Sequence, residues 1–237
     1  MKNLLKLSML IALITVGTVG FAQDDMIREE RKVSGFSAIK AAGIASVYLE
    51  KGSQEKVSIE VNDQEFKDRL VVEVVNKVLV IRMENKEKKD HRNQNVKLKV
   101  YVTYKELNGL IGTGATNFYA DNQIDADQFD LKLSGANNSK LNISAKKLAV
   151  ETSGASNATL SGQAGDLLVK SSGASNVKAY DLKAGNVVAE SSGVANIYVS
   201  AEDALEVKAS GLSNINYKGD AKLVTREVSR MANVKKQ

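Results

Sequence analysis

The chain contains no cysteine, no proline and no tryptophan, and it has a single histidine. Without cysteine there are no disulfides, no thiolate metal sites and no cysteine nucleophile. Stability must then come from packing and hydrogen bonding alone. The lack of proline suits uninterrupted β-ladders, because proline cannot donate to them. The lone His91 sits in a charged run, ENKEKKDHRNQN over residues 84–95, with no partner in view for imidazole chemistry. Long apolar runs are also missing after the N-terminal stretch, so no later segment is long enough to span a bilayer. Charge of one sign is not concentrated either. The formal net charge is +5, with Lys, Arg, Asp and Glu interspersed, which describes a mixed solvated surface and not a nucleic-acid footprint.

What the chain does have is one phrase written six times. It reads GATN at Gly114, GANN at Gly135, GASN at Gly154 and Gly173, GVAN at Gly193 and GLSN at Gly211. The intervals are 21, 19, 19, 20 and 18 residues. A period near twenty signals stacked units, each touching only its neighbours. Residues four and six after each glycine are mostly apolar: Phe118/Ala120, Ser139/Leu141, Ala158/Leu160, Val177/Ala179, Ile197/Val199 and Ile215/Tyr217. Six and four before it stand Phe129/Leu131, Leu148/Val150, Leu167/Val169, Val187/Ala189 and Leu205/Val207. Such alternation marks half-buried strands, so each coil is expected to hold two short strands joined at the Gly-x-x-Asn corner. Three residues before the glycine the chain reads Lys132, Glu151, Lys170, Glu190, Lys208 and Glu227, reversing sign at every coil. Equivalent positions of stacked parallel strands lie about 4.8 Å apart, where unlike charges attract and like charges repel.

The corner residues have a local logic. Glycine allows a positive φ or a close backbone approach, and asparagine tolerates the left-handed region. Asn117, Asn138, Asn157, Asn176, Asn196 and Asn214 are expected to form a structural ladder of stacked amides. The alternative is a polar ligand-binding row.

The flanks divide the chain further. Lys2 and Lys6, the apolar Leu7–Val19 and the small Gly20 and Ala22 at the two cleavage-selecting positions read as a secretory signal peptide over residues 1–22, with cleavage expected between Ala22 and Gln23; a membrane anchor is the rival reading. Residues 23–35 are expected to be a flexible lead-in. Residues 36–110 read as an all-β part. It opens with a degenerate coil, in which Gly43 takes the corner, Ser46 replaces Asn and Tyr48 points outward. A hairpin turning at Asn76-Lys77 follows, then the exposed charged loop 84–95. Val96 to Val102 alternates as a strand, with Lys97, Lys99 and Tyr101 on its outward side. Residues 111–233 carry the regular repeats, the last with Arg230 in the glycine's place, and 234–237 form a basic tail that discourages edge pairing.

RKVSGFSAI at Arg31–Ile39, GIASVYL at Gly43–Leu49, the recurring S-G-A-S-N blocks and Tyr217-Lys218-Gly219 together resemble the head GIN domain family of auto-transporter adhesin heads, common in exported proteins of Bacteroidota-type bacteria. The resemblance runs from about Arg31 to about Lys218. It implies a right-handed parallel β-helix or β-solenoid at the cell envelope and a role in adhesion. It supplies no catalytic motif.

An enzyme of the polysaccharide-degrading β-helix type would need converging carboxylates. Asp125, Asp127 and Asp130 are the densest acids, and they fall at a turn where Asp is commonplace. No catalytic residue, cofactor or metal is expected. Tyr48, Tyr119 and Tyr198 share one outward position and form a candidate ligand surface, although ordinary β-surface residues read the same way. The expectation is an exported, non-enzymatic binding or adhesion module facing a glycan or an envelope protein. The alternatives are a glycan-degrading enzyme and a purely structural envelope protein.

Overall fold

The computed structural model describes residues 26–84 and 96–237. The signal peptide, its cleavage site and nearly all of the charged loop, His91 included, lie outside the described residues.

Each period-two segment identified above becomes a strand, and the strands pair in register from coil to coil. β1 (Ile27–Arg31), β2 (Ala38–Lys51) and β3 (Lys56–Val61) precede a short helix α1 (Gln64–Arg69). Then come β4 (Leu70–Val75), β5 (Val78–Met83) and β6 (Leu98–Tyr104). The repeats follow as β7 (Gly109–Gly135), β8 (Asn138–Gly154), β9 (Asn157–Ser171), β10 (Asn176–Ser191) and β11 (Asn196–Ala209). β12 (Asn214–Lys218), β13 (Lys222–Val228) and β14 (Asn233–Lys236) close the chain.

The pairing of β2 with β7, and of β7 through β11 in sequence, is parallel throughout. Its register puts Asn138 beside Asn157 and Glu151 beside Lys170. The molecule is therefore a β-solenoid, a stack of chain turns with one apolar interior. Phe118, Phe129, Leu131, Leu141, Val150, Val169, Ile197 and Val207 are all buried in it. Inward side chains of one coil lie over those of the next, so every coil added buries the apolar face of its predecessor.

β2 pairs with β7 from Ala38 to Leu49, opposing Gly43 to Gly114 and Ser46 to Asn117. On its other side β2 carries β5 and β6, both parallel. β3 then adds to β6, and β1 to β3, antiparallel. β4 and β5 form a hairpin whose turn residues Asn76 and Lys77 both have positive φ, 51° and 64°, the conformation a tight two-residue turn demands.

Two expectations need correction. Residues 23–35 are not simply a flexible lead-in, because Ile27–Arg31 pair with Arg31's end at Val57 and Ile27 at Val61. Cross-strand charges hold that strand, with Arg28 bonded to Glu60 at 2.9 Å and Lys56 paired with Glu30. The all-β reading also missed α1. Asp63 caps it by accepting the Phe66 N–H at 2.7 Å, a local contact that starts a helix without any apolar periodicity to announce it.

Candidate functional site

At the corner, Gly114, Gly135, Gly154, Gly173, Gly193 and Gly211 all have positive φ, between 68° and 114°. A Cβ on Gly173 would lie 2.7 Å from the carbonyl oxygen of Gly154, and the same clash recurs up the column. Glycine is thus required twice over, by dihedral and by space. The next residue of each coil donates its N–H to the glycine carbonyl below, as Ala174 does to Gly154 at 2.8 Å.

The asparagines form a continuous amide ladder. Asn157 Nδ2 donates to Asn138 Oδ1 at 3.1 Å, Asn176 to Asn157 at 2.9 Å, Asn196 to Asn176 at 2.8 Å and Asn214 to Asn196 at 2.9 Å. At its lower end the Asn138 N–H donates to Asn117 Oδ1 at 2.8 Å. Each amide in the middle of the column thereby commits one N–H and one oxygen lone pair to its neighbours. A second, buried polar column went unread in the sequence: Thr116, Ser156 and Ser175, one residue before the asparagine. Their hydroxyls donate to the carbonyls of Thr113, Ser153 and Ser172 three residues back and close the bend. The recurrence of a hydroxyl in GATN and GASN was the available signal.

Ahead of the corner an open groove of about 840 Å³ runs along the stack. One wall is the charge ladder. Lys132 pairs with Glu151 at 3.4 Å, Lys170 with Glu190 at 3.1 Å and Lys208 with Glu227 at 3.4 Å. These are part-exposed pairs, worth about 0.2–1 kcal/mol each. The other wall is a row of serines, Ser134, Ser153, Ser172, Ser192, Ser210 and Ser229, that line the same groove. Behind them the Thr152 and Ser171 hydroxyls share a buried hydrogen bond of 2.8 Å. The serine row was not singled out in the sequence, because one residue before the glycine looks like an ordinary turn hydroxyl.

The three candidate tyrosines do not act as one surface. Tyr48 stacks on Tyr119 with ring centroids 5.3 Å apart, and on its other side on Tyr101 at 5.2 Å. A sugar ring cannot lie on Tyr48, since both its faces are covered. Tyr101 was read as outward but not as Tyr48's neighbour, because the β6 register lies outside the repeat. Its hydroxyl donates to Glu60 Oε2 at 3.2 Å. Burial first, then this bond and the Glu60 charge, push the Tyr101 phenol up. Tyr198 stands apart, meeting Tyr180 edge-on at 5.4 Å while the Lys218 ammonium lies 5.5 Å over the Tyr180 ring.

Asp125, Asp127 and Asp130 lie within the strand β7 and not at the turn expected for them, and Asp125 and Asp127 are not a pair of free carboxylates. Asp125 accepts from Gln123 at 2.7 Å and pairs with Lys51 at 3.1 Å. Those bonds, Gln123's first, hold its carboxyl below the usual range. Asp127 is bound by Lys146 at 2.7 Å. Among the described residues no cluster of three or more His, Asp or Glu is disposed to hold a metal, and no helix is long and apolar enough to cross a membrane.

The family model described as "Putative auto-transporter adhesin, head GIN domain" matches residues 35–221. The chain belongs to that family. Solved structures share the head GIN domain fold across nearly the whole chain. A putative adhesin from Bacteroides fragilis is 24% identical with a TM-score of 0.79, covering 91% of this chain and 98% of its own. A putative adhesin from Parabacteroides distasonis is 22% identical with a TM-score of 0.69, covering 90% and 97%. A putative lipid binding protein, also from Parabacteroides distasonis, is 20% identical with a TM-score of 0.65, covering 90% and 96%. No curated protein matches the chain.

Proposed function

We propose that this chain is an exported, non-enzymatic binding module of the adhesion type, which presents its groove face to a glycan or a protein at the cell envelope. One observation carries the reading: an open groove runs along the stacked coils, its charges paired within the molecule and a row of serines along its length. Such a surface recognises an extended partner by repeated hydrogen bonds and shape. It lacks the converging, unneutralised carboxylates that hydrolysis or elimination needs. The family assignment supports the adhesion class. The sequence pattern of residues 1–22 supports export, with a mature chain starting at Gln23.

The test is a glycan array and an envelope pull-down, run with the native chain and with the groove-blocking S153R/S172R variant. Retention that the variant loses supports the reading. Absence of retention in both screens would sink it, and so would turnover of an acidic polysaccharide.

A further inference from the structure

The residue after each corner glycine, and after Arg230 in the last repeat, is apolar. From the N-terminal end the column reads Ile44, Ala115, Ala136, Ala155, Ala174, Val194, Leu212 and Met231. All are exposed, with Ile44 at 50%, Val194 at 57%, Leu212 at 56% and Met231 at 69%. A continuous apolar ridge therefore lies two residues beyond the serine row in every coil. Water-facing apolar side chains scattered singly are ordinary, but a full column is a docking feature.

We propose that the occupant of this face is a second copy of the chain, docked antiparallel about a twofold axis that crosses the stack between the coils of Lys170 and Glu190. The proposal rests on the reading of the groove face as a binding surface and names its partner. Two independent columns point to the same operator. An alternating ladder with an even number of members becomes its own complement when reversed. Lys132 then meets the partner copy's Glu227, Glu151 meets Lys208, and Lys170 meets Glu190. Each internal ion pair faces an inverted pair, forming squares of alternating charge, and no like charges are opposed. The same reversal sets Ala136 against Met231, Ala155 against Leu212 and Ala174 against Val194. Over these six coils small residues fill one half of the ridge and large ones the other, so each large side chain there finds a small one opposite, while Ile44 and Ala115 lie beyond the paired span. A parallel arrangement about an axis along the stack would instead lay the ridge on the charged wall, leaving both unmatched.

The six coils span about 29 Å and the strip from ladder to ridge is about 13 Å wide, taking roughly 4.8 Å per coil and 3.3 Å per residue. That is on the order of 400 Å² per partner, about half a standard interface, so the association belongs to the weak, transient class.

The experiment exploits the cysteine-free chain. In one molecule residues 155 and 212 lie three coils apart, about 14 Å, beyond the roughly 7 Å a disulfide can bridge between Cα atoms. Under the antiparallel axis each meets the other in the partner. The A155C/L212C variant of the full chain should oxidise to a covalent dimer, whereas A155C and L212C alone should not. Sedimentation equilibrium of the native chain up to about 1 mM should show the same dimer, weakened roughly tenfold or more by L212R and largely restored in A155E/L212R. A native chain that stays monomeric over that range overturns the proposal, as does equal cross-linking of the single-cysteine variants. Circular dichroism establishes that each variant is folded. A monomer that still retains a glycan removes self-association alone; a dimer that retains no glycan or envelope protein removes the wider binding reading alone.

Discussion

Replacing Gly173 by alanine measures how much the close stacking of the corner column contributes, and Gly43 supplies the control. Both have positive φ, 73° and 99°. A Cβ at Gly43 meets nothing within 4 Å, whereas one at Gly173 lands 2.7 Å from the Gly154 carbonyl oxygen and 3.0 Å from its nitrogen. An L-residue in the left-handed region costs about 1–2 kcal/mol, and the stiffer unfolded chain returns about 0.4–1 kcal/mol. G43A should therefore lose about 1 kcal/mol. G173A carries the same strain plus a backbone clash that only parting two coils can relieve, worth about 1–3 kcal/mol by analogy with overpacked cores. Its total is about 2–4 kcal/mol. For a domain of this size each kcal/mol moves Tm by about 2–4 °C, so a gap of about 1–3 kcal/mol should separate the two variants by roughly 2–12 °C. Thermal and urea unfolding followed by far-UV circular dichroism and by tyrosine fluorescence would measure this, with the two probes compared because stacked repeats need not unfold in one step. If G173A melts no lower than G43A, the corner glycines are there for their dihedral alone and close stacking is not what fixes the coil.

Asn176 sits mid-ladder with a donor and an acceptor bond. N176A should lose about 1–2 kcal/mol in urea titration, at the level of two part-exposed hydrogen bonds, and N214A less. E190K should place three lysines in a row at Lys170, residue 190 and Lys208, costing about 0.5–1.5 kcal/mol at low salt. The deficit should shrink in 1 M salt, where screening reaches about 3 Å; a salt-independent loss would point to packing instead. Tyr104 is buried, and burial, with the Asp125 charge, pushes its phenol from near 10 up to about 12. The unfolded chain therefore releases this proton first, so the stability linked to it is complete below about pH 10 and is lost as pH rises through about 12. Absorbance titration of tyrosinate should show one late component that disappears in Y104F.

Legibility followed periodicity. Where the repeat is regular, from Gly114 to Asn214, the residues alone placed the strands, the corner and the opposed Lys and Glu columns, because alternation and a fixed period are consequences of burial and stacking written directly into composition. Where equivalence depends on pairing between segments of unlike sequence, reading failed. Tyr101 joins Tyr48 only through the β6 register, and the antiparallel addition of β1 to β3 leaves no local mark in IREER. The Asp63 cap produces one turn of helix from a contact rather than a pattern.

By itself the sequence determined that the chain stacks, with which side chains inward and which sign of charge beside which, since each of these repeats every twenty residues and a one-residue slip would expose the core. Only the tertiary structure decided what the outside amounts to. The register of the coils brings a row of serines and a row of charges along one groove, and the stacking of Tyr48 between two rings removes its faces from use. It also lifts eight apolar residues, far apart in the chain, into a single ridge. Those are relations across coils, set by how the turns of chain settle on one another, and no single coil contains them.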